Sequence, residues 1–180
     1  MELVARLHSG ETIGDRVLKV DHAGEHGAVN IYRGQQIACW WRDAELRATL
    51  AELRAHEEAH RALFAAELSR RGRRRCRSYH LCGIGGFGLG LVTGICGRAS
   101  IAAATVAVER VVLTHLHEQI RALRAVDTAA CAAIEAIVRD EQSHHDKALL
   151  EPRKGIFWPR VLLPVISWTT ECVIWVGMRL

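Results

Sequence analysis

Glu57-Glu-Ala-His60 and Glu141-Gln-Ser-His144 each place a glutamate three positions before a histidine. A further glutamate precedes each pair at the same distance along the sequence, Glu25 before the first pair and Glu109 before the second. A Glu and a His at the short spacing lie on one face of a helix, so each pair can contact one shared site. The longer gap, from the lone glutamate to the pair, suits a helix that leaves the site, a turn, and a second helix that returns.

This repeated pattern predicts a helical bundle around a metal centre. Four carboxylates and two imidazoles that project inward from four helices are the ligand set of ferritin-like di-iron and di-manganese proteins. We therefore predict an all-α fold, a ferritin-like four-helix bundle with an internal two-fold repeat, followed by an apolar C-terminal helix. The predicted metal ligands are Glu25, Glu57, His60, Glu109, Glu141 and His144.

Apolar periodicity and a low proline content predict the helices. One helical hairpin covers about residues 13–69 and a second covers about 102–151, with a crossover at about 70–101 and a C-terminal segment at 156–180. Asp127 marks the turn inside the second hairpin, and Pro152 ends it. A chain of 180 residues can bury one core, so we expect a single domain. Five helices are expected, at about 13–41, 43–69, 102–123, 128–151 and 159–180.

The cysteines indicate the compartment, and the arginines show how the charge is distributed. None of the six cysteines forms a C-x-x-C pair, and no signal peptide opens the sequence. We therefore expect reduced, buried thiols in a cytosol-like compartment. The net charge of +4 is mild, but six arginines fall within residues 70–77.

Glu109 is the strongest individual sign of a metal ligand. It ends the apolar run from Ile101 to Val108, where an isolated charge is costly unless it is paired or binds a cation. Glu25 lies among polar residues and by itself fits a solvated helix face equally well. Asp21 and Asp140 lie within about one helical turn of a ligand, so we expect them to orient the two ligand histidines.

Two other motifs match known signatures but lack the required context. His56-Glu-Glu-Ala-His60 fits the H-E-x-x-H of zinc proteases, yet the position equivalent to His56 in the second copy is Asp140. The segment Gly83-Ile-Gly-Gly-Phe-Gly88 fits G-x-G-x-x-G, but no strand precedes it and no βαβ pattern follows. We expect these glycines to let an apolar helix or loop pack closely or meet lipid.

Membrane contact is the next prediction. Arg98 is the only charge between Leu81 and Val108, a length that suits a spanning helix, but seven glycines from 81 to 97 weaken that interpretation. We favour an apolar surface that lies on the membrane, with the arginines of 70–77 at anionic head groups. The alternative is an interface between two copies of the chain. The basic run lacks interleaved aromatic residues, so no nucleic acid is expected. The tryptophans expected at interfacial depth are Trp158, Trp168 and Trp175.

Several segments resemble one known family. Val20-Asp-His-Ala-Gly-Glu25 with the following residues to Gln35 is similar to a segment of the demethoxyubiquinone hydroxylases, the Coq7 family. Thr105-Val-Ala-Val-Glu109, Gln119-Ile-Arg121 and Arg139-Asp-Glu141 with His144-His-Asp146 show the same resemblance. It covers nearly the whole chain. Two departures are His26 and Leu116, where the family has tyrosines.

The resemblance implies a di-iron monooxygenase, peripheral on a membrane, that uses O2 to hydroxylate the ring of a demethoxy-quinone intermediate in ubiquinone biosynthesis. It implies NADH as the ultimate reductant, and a polyprenyl quinone, the membrane surface and either a second copy of the chain or a lipid-presenting protein as partners. The implied location is the cytoplasmic face of a bacterial inner membrane, or the matrix side of the mitochondrial inner membrane. A ferroxidase or iron-binding protein without an organic substrate is the alternative. In the implied ligand roles, Glu25 and Glu109 are terminal, Glu57 and Glu141 bridge, and His60 and His144 each bind one iron.

Overall fold

The computed structural model describes residues 4–41, 44–151 and 161–180, and in these ranges the chain forms helices and turns but no strand. This confirms the predicted all-α class. Six helices occur in the described ranges: α1 (Ile13–Ala38), α2 (Ala44–Arg70), α3 (Tyr79–Cys96), α4 (Arg98–Leu123), α5 (Thr128–Leu150) and α6 (Leu163–Gly177).

The repeat found in the sequence extends to the order of the helices. The starts of α2 and α5 are separated by the same offset as Glu57 and Glu141, and so are the starts of α3 and α6. The starts of α1 and α4 differ from that offset by a single position. The hairpins α1–α2 and α4–α5 each pack together, and α3 packs on α1 as α6 packs on α4. Each half of the molecule is therefore a hairpin with a third, apolar helix against its first helix.

The prediction of five helices was wrong, because it placed α3 in the crossover. Glycine weakens a helix, and the segment contains six glycines. A Cβ on Gly86 or Gly90 would collide with the backbone of Gly27 or Ile31 in α1. The glycines therefore allow two helix backbones to approach closely, and this tertiary packing offsets their low helix propensity. The expectation that the glycine run lets a helix pack closely is confirmed.

The apolar stretch from Leu81 to Val108 does not form one continuous helix. Gly97, with φ of 91°, ends α3 and redirects the chain into α4. By length and composition alone, α3 and α4 are each long and apolar enough to cross a membrane. Of the residues in the most apolar part of α4, 67% are buried inside the protein, whereas 33% of those in α3 are buried.

The other helix boundaries agree with the sequence to within a few residues. α1 ends at Ala38 rather than near residue 41, and α4 begins at Arg98 rather than near 102. Asp127 lies in the predicted turn before α5 and caps that helix, since its side chain accepts a hydrogen bond of 3.0 Å from the Ala130 amide. The predicted roles of Asp43, Pro152, Trp158 and Pro159 lie outside the described residues.

The main core joins the two hairpins. The buried residues Leu18 of α1, Phe64 of α2, Leu123 of α4 and Ile134 of α5 belong to one hydrophobic cluster. Four of the six cysteines are buried, and no disulfide joins the residues of the described ranges. The burial of these four agrees with the expectation of buried thiols.

Half of the arginines in 70–77 serve the fold. Arg70 and Arg71 form ion pairs of 2.6 and 2.7 Å with Glu67, and Arg73 forms one of 2.9 Å with Asp15. Arg71 and Arg73 are half-buried in these contacts, whereas Arg70, Arg74, Arg75 and Arg77 are exposed. The contact of the arginines with lipid head groups stays a prediction.

Candidate metal centre

The structure brings all six predicted ligands together in the interior, one glutamate each from α1 and α4 and a Glu-x-x-His pair each from α2 and α5. All six side chains are buried. They form two overlapping groups of four, and within each group the candidate ligand atoms lie within 4.8 Å of one another. One group is Glu25, Glu57, His60 and Glu141, and the other is Glu57, Glu109, Glu141 and His144.

Glu57 and Glu141 belong to both groups, because each directs one carboxylate oxygen toward each histidine. Glu57 Oε1 lies 3.2 Å from His144 Nδ1, and Glu57 Oε2 lies 3.8 Å from His60 Nδ1. Glu141 Oε1 lies 2.8 Å from His60 Nδ1, and Glu141 Oε2 lies 3.8 Å from His144 Nδ1. These two carboxylates are therefore placed to bridge a pair of cations.

Buried polar atoms converge on this centre, and among the described residues four of them meet at ion-pair distances but not in hydrogen-bond geometry. They are Glu57 Oε1, Glu141 Oε1 and the Nδ1 atoms of His60 and His144. A buried polar atom without a well-formed hydrogen bond is costly, and a cation bound between these carboxylates and imidazoles would satisfy all four atoms. Carboxylate and imidazole donors suit iron and manganese. The donor set and these buried atoms thus fit a pair of such metal ions.

The pKa values of the candidate ligands are shifted by burial and by the neighbouring carboxylates. Burial, then the Glu57 and Glu141 carboxylates, raise the pKa of Glu25 well above its ordinary value. Burial and Glu141 act in the same way on the pKa of Glu109. Burial would lower the pKa of both ligand histidines, but the adjacent Glu141 and Glu57 raise it to about 10 for His60 and to about 9 for His144. The cluster therefore favours bound positive charge, whether protons or metal ions.

The second ring nitrogen of each histidine has a different partner. His60 Nε2 lies 3.2 Å from Asp140 Oδ2, whereas His144 Nε2 lies 2.9 Å from His56 Nδ1, with the two imidazole planes 10° apart. His56 and Asp140 are equivalent in the repeat, each directly before a ligand glutamate. The expectation that Asp140 orients His60 is confirmed. His56 belongs to neither group of four, which argues against an H-E-x-x-H zinc site.

Asp21 has another role than the predicted one. Its Oδ1 accepts a hydrogen bond of 2.9 Å from Gln119 Nε2, so the expectation that it orients a ligand histidine is wrong. Asp21 Oδ2 is buried and makes no hydrogen bond to the rest of the described chain. Burial raises the pKa of Asp21 to about 7, although the Gln119 hydrogen bond opposes this.

Tyr32 is a neighbour of the centre that the sequence analysis missed. Its hydroxyl donates a hydrogen bond of 3.5 Å to Glu109 Oε1 and also hydrogen-bonds to Thr105. Burial and Glu109 raise the pKa of Tyr32 well above its ordinary value. Its place two helical turns after Glu25 gave a usable signal, because that spacing puts both side chains on one face.

A large apolar cavity of about 470 Å³ reaches the centre from the side of α3 and α6. All four candidate ligand glutamates line its inner end, together with Asp21. Its outer part is lined by apolar side chains of α3 and α6, including the exposed Leu81, Val165 and Val173. The cavity thus connects an apolar outer surface with the buried carboxylates.

Comparison with known proteins identifies the family. The model of the family described as ubiquinone biosynthesis protein COQ7 matches residues 12–177. The chain belongs to the COQ7 family. This ferritin-like helical family agrees with the predicted fold class and confirms the resemblance noted in the sequence.

Curated relatives cover much of the chain. A 3-demethoxyubiquinol 3-hydroxylase of Rhodospirillum rubrum is 34% identical over 92% of this chain and 77% of its own length. Two proteins named NADPH-dependent 3-demethoxyubiquinone 3-hydroxylase, mitochondrial, are also similar. The Mus musculus protein is 33% identical over 82% of this chain and 72% of its own length. The Dictyostelium discoideum protein is 31% identical over 73% of this chain and 60% of its own length.

Proposed function

We propose that this COQ7-family chain is a di-iron monooxygenase that hydroxylates the ring of a demethoxy-quinol intermediate in ubiquinone biosynthesis. The observation that carries the proposal is the pair of overlapping four-residue groups at the inner end of an apolar cavity. A ferroxidase would share the six ligands, but it has no use for a cavity of about 470 Å³ with an apolar lining.

The six buried residues would hold the two iron ions. Glu25 with His60 would bind one iron and Glu109 with His144 the other, while both would share Glu57 and Glu141. When bound, ferrous ions supply the redox chemistry that lets dioxygen react with the ring. In the overall reaction one oxygen atom enters the ring and the other leaves as water, with two electrons and two protons from outside. The protein's apolar walls exclude bulk water from this reaction.

Asp21 is the group that handles a substrate proton in this proposal. Asp21 and Glu25 both line the cavity, Asp21 Oδ2 makes no hydrogen bond to the described residues, and Gln119 holds the other carboxylate oxygen in place. A carboxyl with a pKa of about 7 can accept a proton from a quinol hydroxyl near neutral pH. Loss of that proton makes the ring richer in electrons and therefore easier to oxidise.

The cavity mouth suits a substrate whose tail stays in a lipid layer. Leu81 and Ile84 of α3 are 62% and 73% exposed, and Trp168 and Trp175 of α6 are 67% and 58% exposed. Apolar and tryptophan side chains of this kind seat a protein at a membrane interface. We propose that the α3–α6 side rests on the membrane, at the cytoplasmic face of a bacterial inner membrane or the matrix side of a mitochondrial one.

The source of the electrons is also part of the proposal. NADH was the expected reductant, whereas the names of the mouse and Dictyostelium relatives specify NADPH. We propose a reduced nicotinamide nucleotide as the ultimate donor, and a direct comparison of the two nucleotides decides between them.

The test combines metal analysis with a product assay. Iron-loaded protein is incubated with a demethoxy-quinone, isotopically labelled dioxygen and either NADH or NADPH, and the product is analysed by mass spectrometry. We expect two irons per chain and one labelled oxygen atom in the hydroxylated ring. One zinc per chain, or oxidation of iron without a hydroxylated product, would contradict the proposal.

A further inference from the structure

A second cavity approaches the candidate metal centre from another side. It has a volume of about 280 Å³ and lies between α2, α4 and α5, whereas the substrate cavity lies against α3 and α6. Its lining includes His144, one of the six candidate ligands, and Thr105, which hydrogen-bonds to Tyr32. The two cavities have no lining residue in common.

The second cavity leads from the surface to the interior. Thr49, Glu52 and Lys147 line its outer end and are exposed, while Thr105 and His144 line its inner end and are buried. His144 is only 1% exposed, and its Nδ1 lies 3.2 Å from Glu57 Oε1. A small molecule that enters beside Lys147 would therefore arrive next to the group of four that contains His144.

The wall between the two ends of the cavity is apolar, and the charged residues at its outer rim form ion pairs with one another. Leu46, Leu50, Ile101, Ala102 and Ala148 form most of the wall. At the rim, Lys147 lies 3.5 Å from Glu52, and Arg98 lies 3.3 Å from Glu151. A metal cation would lose its hydration along this wall without gaining ligands, which is costly. A small apolar molecule meets no such cost, because dry apolar cavities readily admit gases such as xenon.

We propose that this second cavity is the route by which dioxygen reaches the metal centre. The inference rests on the proposed function, in which a quinol occupies the substrate cavity and contacts its four carboxylates. A bound quinol would block that path, so a separate entrance at His144 lets dioxygen arrive after the organic substrate. The His144 side of the centre is then the side that dioxygen meets first.

Xenon binding to the metal-free protein is the first test. Xenon is an apolar probe of the same cavity and needs neither iron nor activity. We expect xenon-dependent chemical-shift changes for residues around Ala102 and Ala148 in NMR spectra. Ala148→Leu and Ala102→Leu, which extend side chains into the cavity, should remove these changes. Ala122→Leu, the same exchange at a half-buried position of α4 that lines neither cavity, should keep them.

Oxidation kinetics give the second test. The ferrous protein, with an unreactive quinol analogue in the substrate cavity so that this path is closed, is mixed with dioxygen at several concentrations, and the appearance of ferric absorption is followed. Steady-state turnover with the quinol itself gives the KM values for dioxygen and for the quinol. We expect Ala148→Leu to slow the oxidation several-fold and to raise KM for dioxygen, with KM for the quinol unchanged. Thr49→Trp, at the exposed mouth, should act in the same direction without altering the core. Ala122→Leu should behave like the wild type.

The outcomes separate this inference from the proposed function. A variant that excludes xenon yet is oxidised at the wild-type rate at every dioxygen concentration would overturn the route. Absence of xenon-dependent changes in the wild-type protein would also overturn it. A protein that is oxidised through this cavity but yields no hydroxylated quinone would overturn the proposed hydroxylase activity and leave the dioxygen route supported.

Discussion

The two halves of the molecule, α1–α3 and α4–α6, share a scaffold and six candidate ligands but differ in the residues around them. Each half contributes one glutamate from its first helix and one Glu-x-x-His pair from its second. The offset that relates Glu25 to Glu109 also relates His60 to His144. The duplicated positions are therefore the ones that converge at the centre of the bundle.

The surrounding positions are not duplicated. The same offset relates Asp21 to Thr105, Tyr32 to Leu116 and His56 to Asp140. Asp21 faces the substrate cavity, whereas Thr105 lines the second cavity and hydrogen-bonds to Tyr32. The repeat therefore supplies the six candidate ligands, while Asp21 and Thr105, which differ between its copies, line two different cavities.

Removing a duplicated ligand should have the largest effect. We expect Glu109→Ala and Glu141→Ala each to reduce turnover to background, because each carboxylate belongs to the shared centre. The helical content in circular dichroism should stay close to that of the wild type, and bound iron should fall below two per chain. Glu135→Ala, a change at an exposed position of α5, is the control and should retain activity. Full activity in Glu109→Ala would contradict the symmetric site.

A residue that only one half possesses should have a smaller but large effect. We expect Asp21→Asn to lower kcat/KM by roughly a hundredfold, as removal of a general base commonly does. The carboxylate is the form that accepts a proton, so wild-type activity should rise as the pH increases through the Asp21 pKa of about 7. The rate is measured from pH 5.5 to 8.5, a range of about 1.5 pH units on either side. This rise should be missing in Asp21→Asn, while its iron content stays normal. An unchanged pH profile would exclude Asp21 as the base.

The partners of the two histidines should differ in their effect on metal affinity. Asp140 is a carboxylate against His60 Nε2, and such partners strengthen a histidine ligand. We expect Asp140→Asn to weaken iron binding about tenfold. His56→Gln, at the equivalent position, should weaken iron binding less than Asp140→Asn does, because it removes no carboxylate. The activity of His56→Gln should stay within roughly tenfold of the wild type, since His56 is a neighbour of the site and not a candidate ligand. His60→Ala should lose activity. Competition with a chelator gives the affinities, and equal losses in both partner variants would refute the asymmetry.

The fold class and the six candidate ligands could be predicted from the sequence because the lone glutamate and the Glu-x-x-His pair recur at one offset on helices. The family could be predicted because several segments resemble it. The helix α3 could not, since its glycines are favourable only against the backbone of α1. The contact of Asp21 with Gln119 and the approach of Tyr32 to Glu109 join residues that are 98 and 77 positions apart. Helix periodicity places Tyr32 on the face of α1 that carries Glu25, but the partner of each residue depends on how the helices pack.

The residues that precede the third helix differ between the two halves. Replacing one of them should have the smallest of the predicted effects, a change in membrane binding. Arg74 and Arg77 precede α3, whereas the equivalent positions before α6 are Trp158 and Val161. Arg74 and Arg77 are exposed, whereas Arg71 and Arg73, which pair with carboxylates of the fold, are half-buried. An arginine near an anionic membrane surface contributes about 1 kcal/mol, so Arg77→Gln should lower binding to anionic liposomes about fivefold.

Co-sedimentation with liposomes measures this binding, and high salt should weaken it in the wild type by screening the head-group attraction. Arg139→Gln, which removes an exposed arginine from α5 on the other side of the bundle, should bind like the wild type. Arg77→Gln should also turn over a long-tailed quinone more slowly but a short-tailed soluble analogue at the normal rate, because the metal site is unchanged. Equal binding of both variants would show that the α3 side does not meet lipid through its arginines. Resistance of the wild type to extraction with alkaline carbonate would point instead to a helix that crosses the membrane.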